Sequence, residues 1–380
     1  MDLTWTAYLW AFSLSLIAAF GLTPLALRIA QRFGALDQPG AYKTQDSPVP
    51  YLGGVAMVVA FAGVIVIGSF LRAPPSGANQ LALVVGVGVG LSMVGLLDDL
   101  RGLHPLPRFA LQLAAAIAVW TAGISIELFH QPAADAVLTV IWIVGITNAF
   151  NLLDNMDGLS AGLAAIASGF FFLLGALNGQ IAVAALAAAL AGCSLGFLRH
   201  NFHPARIYMG DAGSLFLGFL LAVIGVKLSF PAPKEIAFMV PVLVLGVAIF
   251  DTSVVVINRL FHRLSPFAGG RDHISHRLVF VGVPVRSAVA LVYAAGIGLG
   301  WLAVVMSRLD TATGFILMGF AAAVSIFAGV MLGRVPVYEH SRRRRVMLME
   351  VVPHEERSQP AVTSPPDGDD VKHVNAAEAT

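Results

Sequence analysis

The sequence contains little charge and almost no cysteine. Only 12% of its 380 residues are charged, whereas 57% are hydrophobic. So few charged side chains cannot cover a soluble protein of this length, and the hydrophobic content excludes disorder over most of the chain. The single cysteine, Cys193, excludes an intramolecular disulfide and a cysteine zinc cluster. The net charge of +1 gives no overall attraction to nucleic acid, so no nucleic-acid partner is expected.

Long apolar runs are abundant. A helix needs about 20 apolar residues to cross a bilayer, and about eleven such runs follow one another with short polar breaks between them. They lie at 4–27, 51–71, 81–97, 108–123, 136–150, 159–177, 180–198, 213–229, 237–257, 286–306 and 312–333. The sequence therefore predicts an all-α polytopic membrane protein with a transmembrane domain over residues 1–333.

The basic residues predict the orientation. Four of them lie on one side of the eleven-span arrangement: Arg72, Lys227, Lys234 and Arg308. All others lie on the opposite side, which the positive-inside rule makes cytoplasmic, so the N-terminus is outside and the C-terminus in the cytoplasm. The first run is full length with no basic residue before it, which favours a retained helix over a signal peptide. Residues 334–380 are predicted to form a disordered, basic and polar cytoplasmic tail, whose arginine run at 342–345 either attracts anionic lipid or anchors the topology.

Aspartates collect near helix ends on the predicted cytoplasmic side. Five of them lie on three loops: Asp98, Asp99, Asp154, Asp157 and Asp211. Ionised groups at a membrane are retained where they have partners or a function. Short carboxylates around one cavity suit Mg²⁺ or Mn²⁺, ions that bind phosphate oxygens at the same time.

Each acidic motif also has a simpler explanation. In GLLDDLRGL, Asp98 and Asp99 follow an apolar helix, where an acidic pair can merely face water. In RIYMGDAGSLFLGF, Asp211 precedes a long helix, which fits an N-cap as well as a phosphate site.

A third motif is harder to explain by packing. In NAFNLLDNMDGLSAG, two amides and two carboxylates recur every three residues: Asn148, Asn151, Asp154 and Asp157. In a helical segment they share one face.

The longest loop, RLFHRLSPFAGGRDHISHRL, combines histidines with arginines. Its second half contains Arg271, His273, His276 and Arg277. Clustered arginines favour phosphate recognition over metal binding, and a solvated positive loop is the alternative. Asp251 lies about two turns inside the ninth predicted helix, where it serves either chemistry or a bond between helices.

Together these motifs resemble the polyprenyl-phosphate N-acetylhexosamine-1-phosphate transferases, glycosyltransferase family 4, over about residues 4–333. The matching positions are Asp98 and Asp99 in the aspartate-rich motif, Asn148, Asn151, Asp154, Asp157 and Gly158 in NxxNxxDxxDG, Asp211 in MGDxGS, Asp272, His273, His276 and Arg277 in the histidine loop, and Lys43 in the first loop. Three positions depart from the family pattern: Ser275, where the family usually has histidine, Asn155, where many members have glycine, and Gln45, where the first loop often has histidine. The sequences of these motifs are more similar to the WecA and TagO members than to MraY.

The resemblance implies a reaction. N-acetylhexosamine-1-phosphate, most simply GlcNAc-1-phosphate, would pass from a UDP-sugar to polyprenyl (undecaprenyl) phosphate and release UMP. The product would be the first lipid-linked intermediate of a cell-envelope polysaccharide. Mg²⁺, or alternatively Mn²⁺, would offset the repulsion between the anionic substrates. The active site would face the cytoplasm at the inner (plasma) membrane, and a homodimer is compatible with this picture.

The resemblance also implies residue roles. Asp211 would hold the metal, with Asp99 or Asp154 assisting, and Asp98 would position or deprotonate the lipid phosphate. These four aspartates form the expected catalytic set. The expected substrate-binding residues are Lys43, Asn148, Asn151, Asp157, Arg271, His273, His276 and Arg277.

Three alternatives are weighed against this interpretation. A phospho-N-acetylmuramoyl-pentapeptide transferase differs only in its donor. An ion-coupled transporter predicts an internal repeat and acids at the bilayer midplane, whereas no convincing repeat is present and only Asp251 lies at depth. A CDP-alcohol phosphotransferase needs a DGxxAR-type signature, which is absent.

Overall fold

A computed structural model describes residues 3–37, 48–71, 77–230, 233–265 and 270–337. Its helices are α1 (Leu3–Phe33), α2 (Gly53–Leu71), α3 (Ala78–Arg101), α4 (Pro105–Thr121), α5 (Pro132–Leu153), α6 (Leu159–Leu177), α7 (Ile181–Asn201), α8 (Gly210–Lys227), α9 (Lys234–Val244), α10 (Gly246–Phe261), α11 (Ile274–Phe280), α12 (Val285–Met306) and α13 (Thr311–Gly333). Strands β1 (Leu36–Asp37) and β2 (Val49–Pro50) pair antiparallel. Lys43 and residues 338–380 lie outside the described residues, so the predictions for them stay predictions.

The helices confirm an all-α polytopic membrane protein. Nine helices in the described ranges are long and apolar enough to span a membrane, and α9 with α10 make a tenth span if the bent pair is counted as one. The sequence predicted about eleven spans. The difference is α4, whose 17 residues extend only about 26 Å, less than the hydrocarbon core of about 30 Å.

The ninth predicted helix is broken. The run at 237–257 folds as α9 and α10, which meet at an angle of 74°. Pro241 lies inside α9, one turn before the break. Proline has no N–H to donate and its ring clashes with the preceding turn, so it favours a kink at this point. The bend gives α10 a direction of its own, and α10 carries Asp251.

Helix α8 is the centre of the bundle. Every residue from Ala212 to Gly225 is buried, and α3, α5 and α2 pack around the helix. A helix that is apolar on all sides is typical of such a position. On α13, by contrast, only Gly314 is buried, so most of its apolar surface is left for lipid.

Glycines bring α2 and α3 into close contact with the start of α8. A Cβ added at Gly95 on α3 would overlap the backbone of Asp211 and Ala212, and one at Gly54 on α2 would overlap Gly213. Small residues allow helix backbones to approach closely in membranes. The close approach places the end of α3, with its two aspartates, against the N-terminus of α8.

Candidate active site

Asp99 caps helix α8 from a neighbouring helix. One carboxylate oxygen accepts the backbone N–H of Asp211 at 2.9 Å and the other accepts that of Ala212 at 3.2 Å. The N-cap position of α8, Met209, contributes no side-chain hydrogen bond. A carboxylate at this end also complements the positive pole of the helix. Of the two interpretations of Asp211, the N-cap is therefore wrong: α3 supplies the cap, and the side chain of Asp211 is released for other contacts.

Replacing Asp99 tests this cap. Asp99→Ala leaves two backbone N–H groups of α8 without their acceptor, so we expect a loss of about 1–2 kcal/mol in stability together with loss of activity. The matched control is Asp310→Ala, because Asp310 caps α13 through the N–H of Thr313. The control should lose comparable stability and keep its activity. Thermal unfolding of the full chain and a transferase assay measure both effects, and full activity in Asp99→Ala contradicts the assignment.

Arg108 joins two of the predicted catalytic aspartates. Its Nη1 donates to Oδ2 of both Asp98 and Asp211. Asp98 also accepts the N–H of Leu103 at 2.6 Å. Sequence reasoning missed Arg108, because it counted this residue only as a topology-setting charge. Its position at the start of the helix that follows the aspartate pair was the available signal.

Asn151 completes the contacts of Asp211. Its Nδ2 donates to Oδ1 of Asp211 at 2.8 Å and to Oγ of Ser214 at 2.9 Å. Both carboxylate oxygens of Asp211 are thus held, one by Asn151 on α5 and one by Arg108 on α4. Four helices, α3, α4, α5 and α8, therefore contribute to a single polar cluster.

Asp154, directly after α5, has a different environment. No hydrogen-bond partner of its carboxylate exists among the residues that the structure describes. Burial raises the pKa of Asp154 well above its usual range, and the negative charges of Asp211, Asp99 and Asp157 raise it further. A carboxylate without a partner beside other carboxylates favours the approach of a cation.

The acidic residues fit a hard divalent cation. Within the described ranges no group of three or more His, Cys, Asp or Glu side chains forms a ready metal cage. Mg²⁺ does not need one, because it commonly binds one or two carboxylates together with waters and substrate phosphates. Asp154 and Asp211 can supply that pair. Asp99 is the weaker candidate, since both of its oxygens already accept amides of α8.

The four residues predicted to share one face have separate contacts. Asn148 donates to Oε1 of Gln112 on α4. Asp157 accepts the N–H of Ala205 at 3.0 Å and contacts Nδ1 of His203 at 2.8 Å, in the loop before α8. Helix α5 ends at Leu153, so the three-residue spacing no longer describes one helical face beyond it. Substrate contacts of Asn148 and Asp157 stay predictions.

The histidine segment, residues 272–277, packs beside Asp154. Nε2 of His276 lies 3.2 Å from the carbonyl oxygen of Asn155, which directly follows Asp154 in the chain. Oγ of Ser275 donates to Oδ1 of Asn155 at 2.8 Å. Two of the three positions that depart from the family pattern, Ser275 and Asn155, therefore contact each other. Burial, and after it the charges of His273 and Arg271, lower the pKa of His276 to about 4, so this histidine is neutral near pH 7.

Arg277 contacts α13. The side chain is fully buried, and its Nη1 donates to the carbonyl of Leu332 at 2.9 Å and to those of Gly333 and Val335. Its Nε donates to the carbonyl of Asp272 at 2.7 Å. Such contacts satisfy the last carbonyls of a helix. The structure thus gives Arg277 a capping contact, and its predicted contact with substrate receives no support from this placement.

A second buried arginine, Arg259, binds Asp272, the residue just before His273. Arg259 on α10 donates to both carboxylate oxygens of Asp272, each at 2.8 Å. A bidentate pair of this kind fixes orientation as well as position. Arg271, just before it, contributes positive charge near His276.

Fold and site together define a class: a multi-pass helical membrane protein with a carboxylate site, suited to phosphate groups, at one end of its bundle. Comparison with known proteins gives the family. The profile described as "Glycosyl transferase family 4" matches residues 81–229. A probable undecaprenyl-phosphate N-acetylglucosaminyl 1-phosphate transferase of Bacillus subtilis is 35% identical over 296 residues, covering 75% of this chain and 81% of the relative.

Two further relatives extend the comparison. A decaprenyl-phosphate N-acetylglucosaminephosphotransferase of Mycobacterium tuberculosis is 30% identical over 362 residues, which is 85% of each chain. A phospho-N-acetylmuramoyl-pentapeptide-transferase of Geobacillus kaustophilus is 35% identical over 240 residues, covering 57% of this chain and 74% of the relative. The chain belongs to glycosyl transferase family 4, and it is a phosphotransferase of that type.

Proposed function

We propose that the protein transfers GlcNAc-1-phosphate from UDP-GlcNAc to a polyprenyl phosphate and releases UMP. The observation that carries the proposal is the carboxylate cluster, in which Asp154, close to Asp211, has no hydrogen-bond partner among the described residues. At the same 35% identity, the relative named for undecaprenyl-phosphate N-acetylglucosaminyl 1-phosphate transfer matches 75% of this chain, whereas the pentapeptide transferase of Geobacillus kaustophilus matches 57%. This difference favours GlcNAc over a muramoyl-pentapeptide donor.

The reaction exchanges one phosphoanhydride bond for another. An oxygen of the lipid phosphate bonds to the β-phosphorus of the donor, the bond between the β-phosphorus and the bridging oxygen breaks, and UMP leaves with that oxygen and the electron pair of the broken bond. Bound Mg²⁺ would neutralise charge on the phosphates. Asp154 and Asp211 would hold the ion, and Arg108 would add positive charge on the α4 side of the pocket. Because a phosphate oxygen is largely ionised near neutral pH, Asp98 would orient the acceptor.

The setting of the reaction belongs to the same proposal. The excess of Lys and Arg on the side of the carboxylate cluster supports a cytoplasmic active site at the plasma membrane. A UDP-sugar donor fits that side, since Arg271 contributes positive charge beside His276, and a guanidinium binds phosphate oxygens well. The homodimer stays a prediction.

A transfer assay tests the function. Purified full-length protein is mixed with undecaprenyl phosphate and labelled UDP-GlcNAc, and labelled lipid and UMP are measured. We expect stoichiometric UMP, and a fall of about 100-fold or more after chelation that added Mg²⁺ reverses. Transfer that is indifferent to chelation contradicts the metal assignment. Uptake of the nucleotide sugar into vesicles without UMP release favours a transporter instead.

Competition between donors tests the sugar. Unlabelled UDP-GlcNAc, UDP-GalNAc and UDP-MurNAc-pentapeptide are each added to the assay at equal concentration. Only UDP-GlcNAc is expected to suppress labelling strongly. Stronger suppression by the pentapeptide donor transfers the assignment to the pentapeptide branch of the family.

A further inference from the structure

A buried carboxylate on α10 holds the histidine segment. Asp251 is fully buried, and its Oδ1 accepts the backbone N–H of Ile274 at 2.8 Å. Its Oδ2 lies 2.6 Å from Nδ1 of His273, a residue that is 3% exposed. An ionised carboxylate only accepts hydrogen bonds, so Nδ1 carries the proton in this contact. The pair is therefore an oriented carboxylate–histidine dyad.

The contact leaves the second ring nitrogen of His273 for another partner. Among the described residues Nε2 has no hydrogen-bond partner, and it is not one of the sealed, unpaired polar atoms of the interior. The ring lies 6.5 Å, centre to centre, from that of His276. His276 and Ser275 in turn bond to Asn155, next to Asp154. The dyad thus belongs to the segment that borders the carboxylate cluster.

We propose that Asp251 is a positioning residue for the transfer reaction, fixing the ring of His273 in the orientation that presents Nε2 to a phosphate oxygen of the diphosphate donor. This inference rests on the proposed function. With both ring nitrogens protonated, Nδ1–H donates to Asp251 and Nε2–H donates to the anionic substrate. The bend between α9 and α10 places Asp251 where the segment can reach it.

Two substitutions at His273 distinguish the role of Nδ1 from the role of Nε2. Asparagine places an amide nitrogen near the position of Nδ1, so His273→Asn keeps a donor for Asp251 and removes Nε2. Glutamine places its amide nearer to Nε2 and gives up the bond to Asp251. We expect His273→Asn to stay folded, with an unchanged melting temperature, and to release UMP about 100-fold more slowly. Activity near wild type in His273→Asn means that His273 only fastens the loop, which overturns the proposal.

A double variant tests whether Asp251 acts through His273. In metal sites, loss of the carboxylate that orients a histidine costs about 10- to 100-fold, and a fall of this size in kcat is expected for Asp251→Asn. The double variant Asp251→Asn/His273→Gln should be no slower than His273→Gln alone, within about 2-fold. A double variant that loses the product of the two single effects overturns the proposal, since Asp251 would then act independently.

A control matches the burial and the charge. Asp135, in the first turn of α5, is also a buried aspartate, and its Oδ1 accepts the backbone N–H groups of Leu128 and Phe129 in the preceding loop. Asp135→Asn should keep kcat within about 2-fold of wild type. A loss in Asp135→Asn equal to that in Asp251→Asn attributes the effect to buried carboxylates in general, against the proposal.

A spectroscopic measurement works without activity. In full-length protein with ¹⁵N-labelled histidine in lipid nanodiscs, the Nδ1–H signal of His273 is the one that disappears in His273→Gln. It should shift in Asp251→Asn, because the charged acceptor is lost, and stay in place in Asp135→Asn. An unshifted signal in Asp251→Asn overturns the dyad. A shifted signal in a protein that releases no UMP from any UDP-sugar refutes the proposed function and leaves the dyad standing.

Discussion

Asp211→Asn is expected to lower the rate of transfer by about 1000-fold or more, equivalent to about 4 kcal/mol of transition-state stabilisation. Asp211 accepts a hydrogen bond from Asn151 on one oxygen and from Arg108 on the other, and it lies beside Asp154. Asparagine keeps the shape and one acceptor, but it removes the negative charge that the proposed metal ion needs. The rate of UMP release at saturating substrates measures the loss.

Binding of Mn²⁺, followed by electron paramagnetic resonance, accompanies that measurement. We expect weaker binding in Asp211→Asn at an unchanged melting temperature. Asp135→Asn, which alters a buried aspartate in the first turn of α5, serves again as the control for the loss of a charge. Activity that survives both Asp211→Asn and chelation excludes Asp211 as a metal ligand.

Gly95→Ala is expected to have the second-largest effect. The added Cβ would overlap the carbonyl group of Asp211 and the nitrogen of Ala212, so α3 and α8 must separate. Overpacking of this kind costs about 1–3 kcal/mol, and a displacement of about 1 Å at a catalytic group costs about 100-fold in rate. The hydrogen bonds from α8 to Asp99 would lengthen first. Thermal unfolding and the transfer assay measure the two losses.

Gly90→Ala is the matched control, because the same helix carries this second glycine. A Cβ there meets no atom within 4 Å, and alanine favours a helix over glycine by about 0.5–1 kcal/mol. We expect unchanged activity and equal or higher stability. If Gly95→Ala behaves like Gly90→Ala, the close approach of α3 and α8 does not position the aspartates.

Most of the fold could be predicted from hydropathy, because the apolar runs are long and their polar breaks short. The break at Leu245 could not, since Pro241 and Gly246 are compatible with a continuous apolar run until packing is known. Helix α4 shows a second limit of prediction from hydropathy. Its apolar run is clear, but whether 17 residues cross a bilayer depends on their neighbours.

The carboxylates of the site could be predicted from their motifs, but their partners could not. Arg108 lies 103 residues from Asp211 along the chain, and no spacing rule connects two such positions. Sequence reasoning left Asp251 open between chemistry and a structural bond, and the structure identifies His273 as its partner. Arg277 was predicted at the substrate because it falls on the histidine loop of the family, and its contact with the end of α13 is a partner that the motif does not indicate.

The contact between Arg277 and α13 has a consequence for biosynthesis. The carbonyls that accept hydrogen bonds from the guanidinium of Arg277 belong to Leu332, Gly333 and Val335. A ribosome makes the aspartates of α3 and α8 long before it reaches them. The histidine segment therefore gains its last anchor only after the final span has been translated, so a truncated chain that ends before α13 carries every proposed metal ligand and lacks a fully fastened histidine segment.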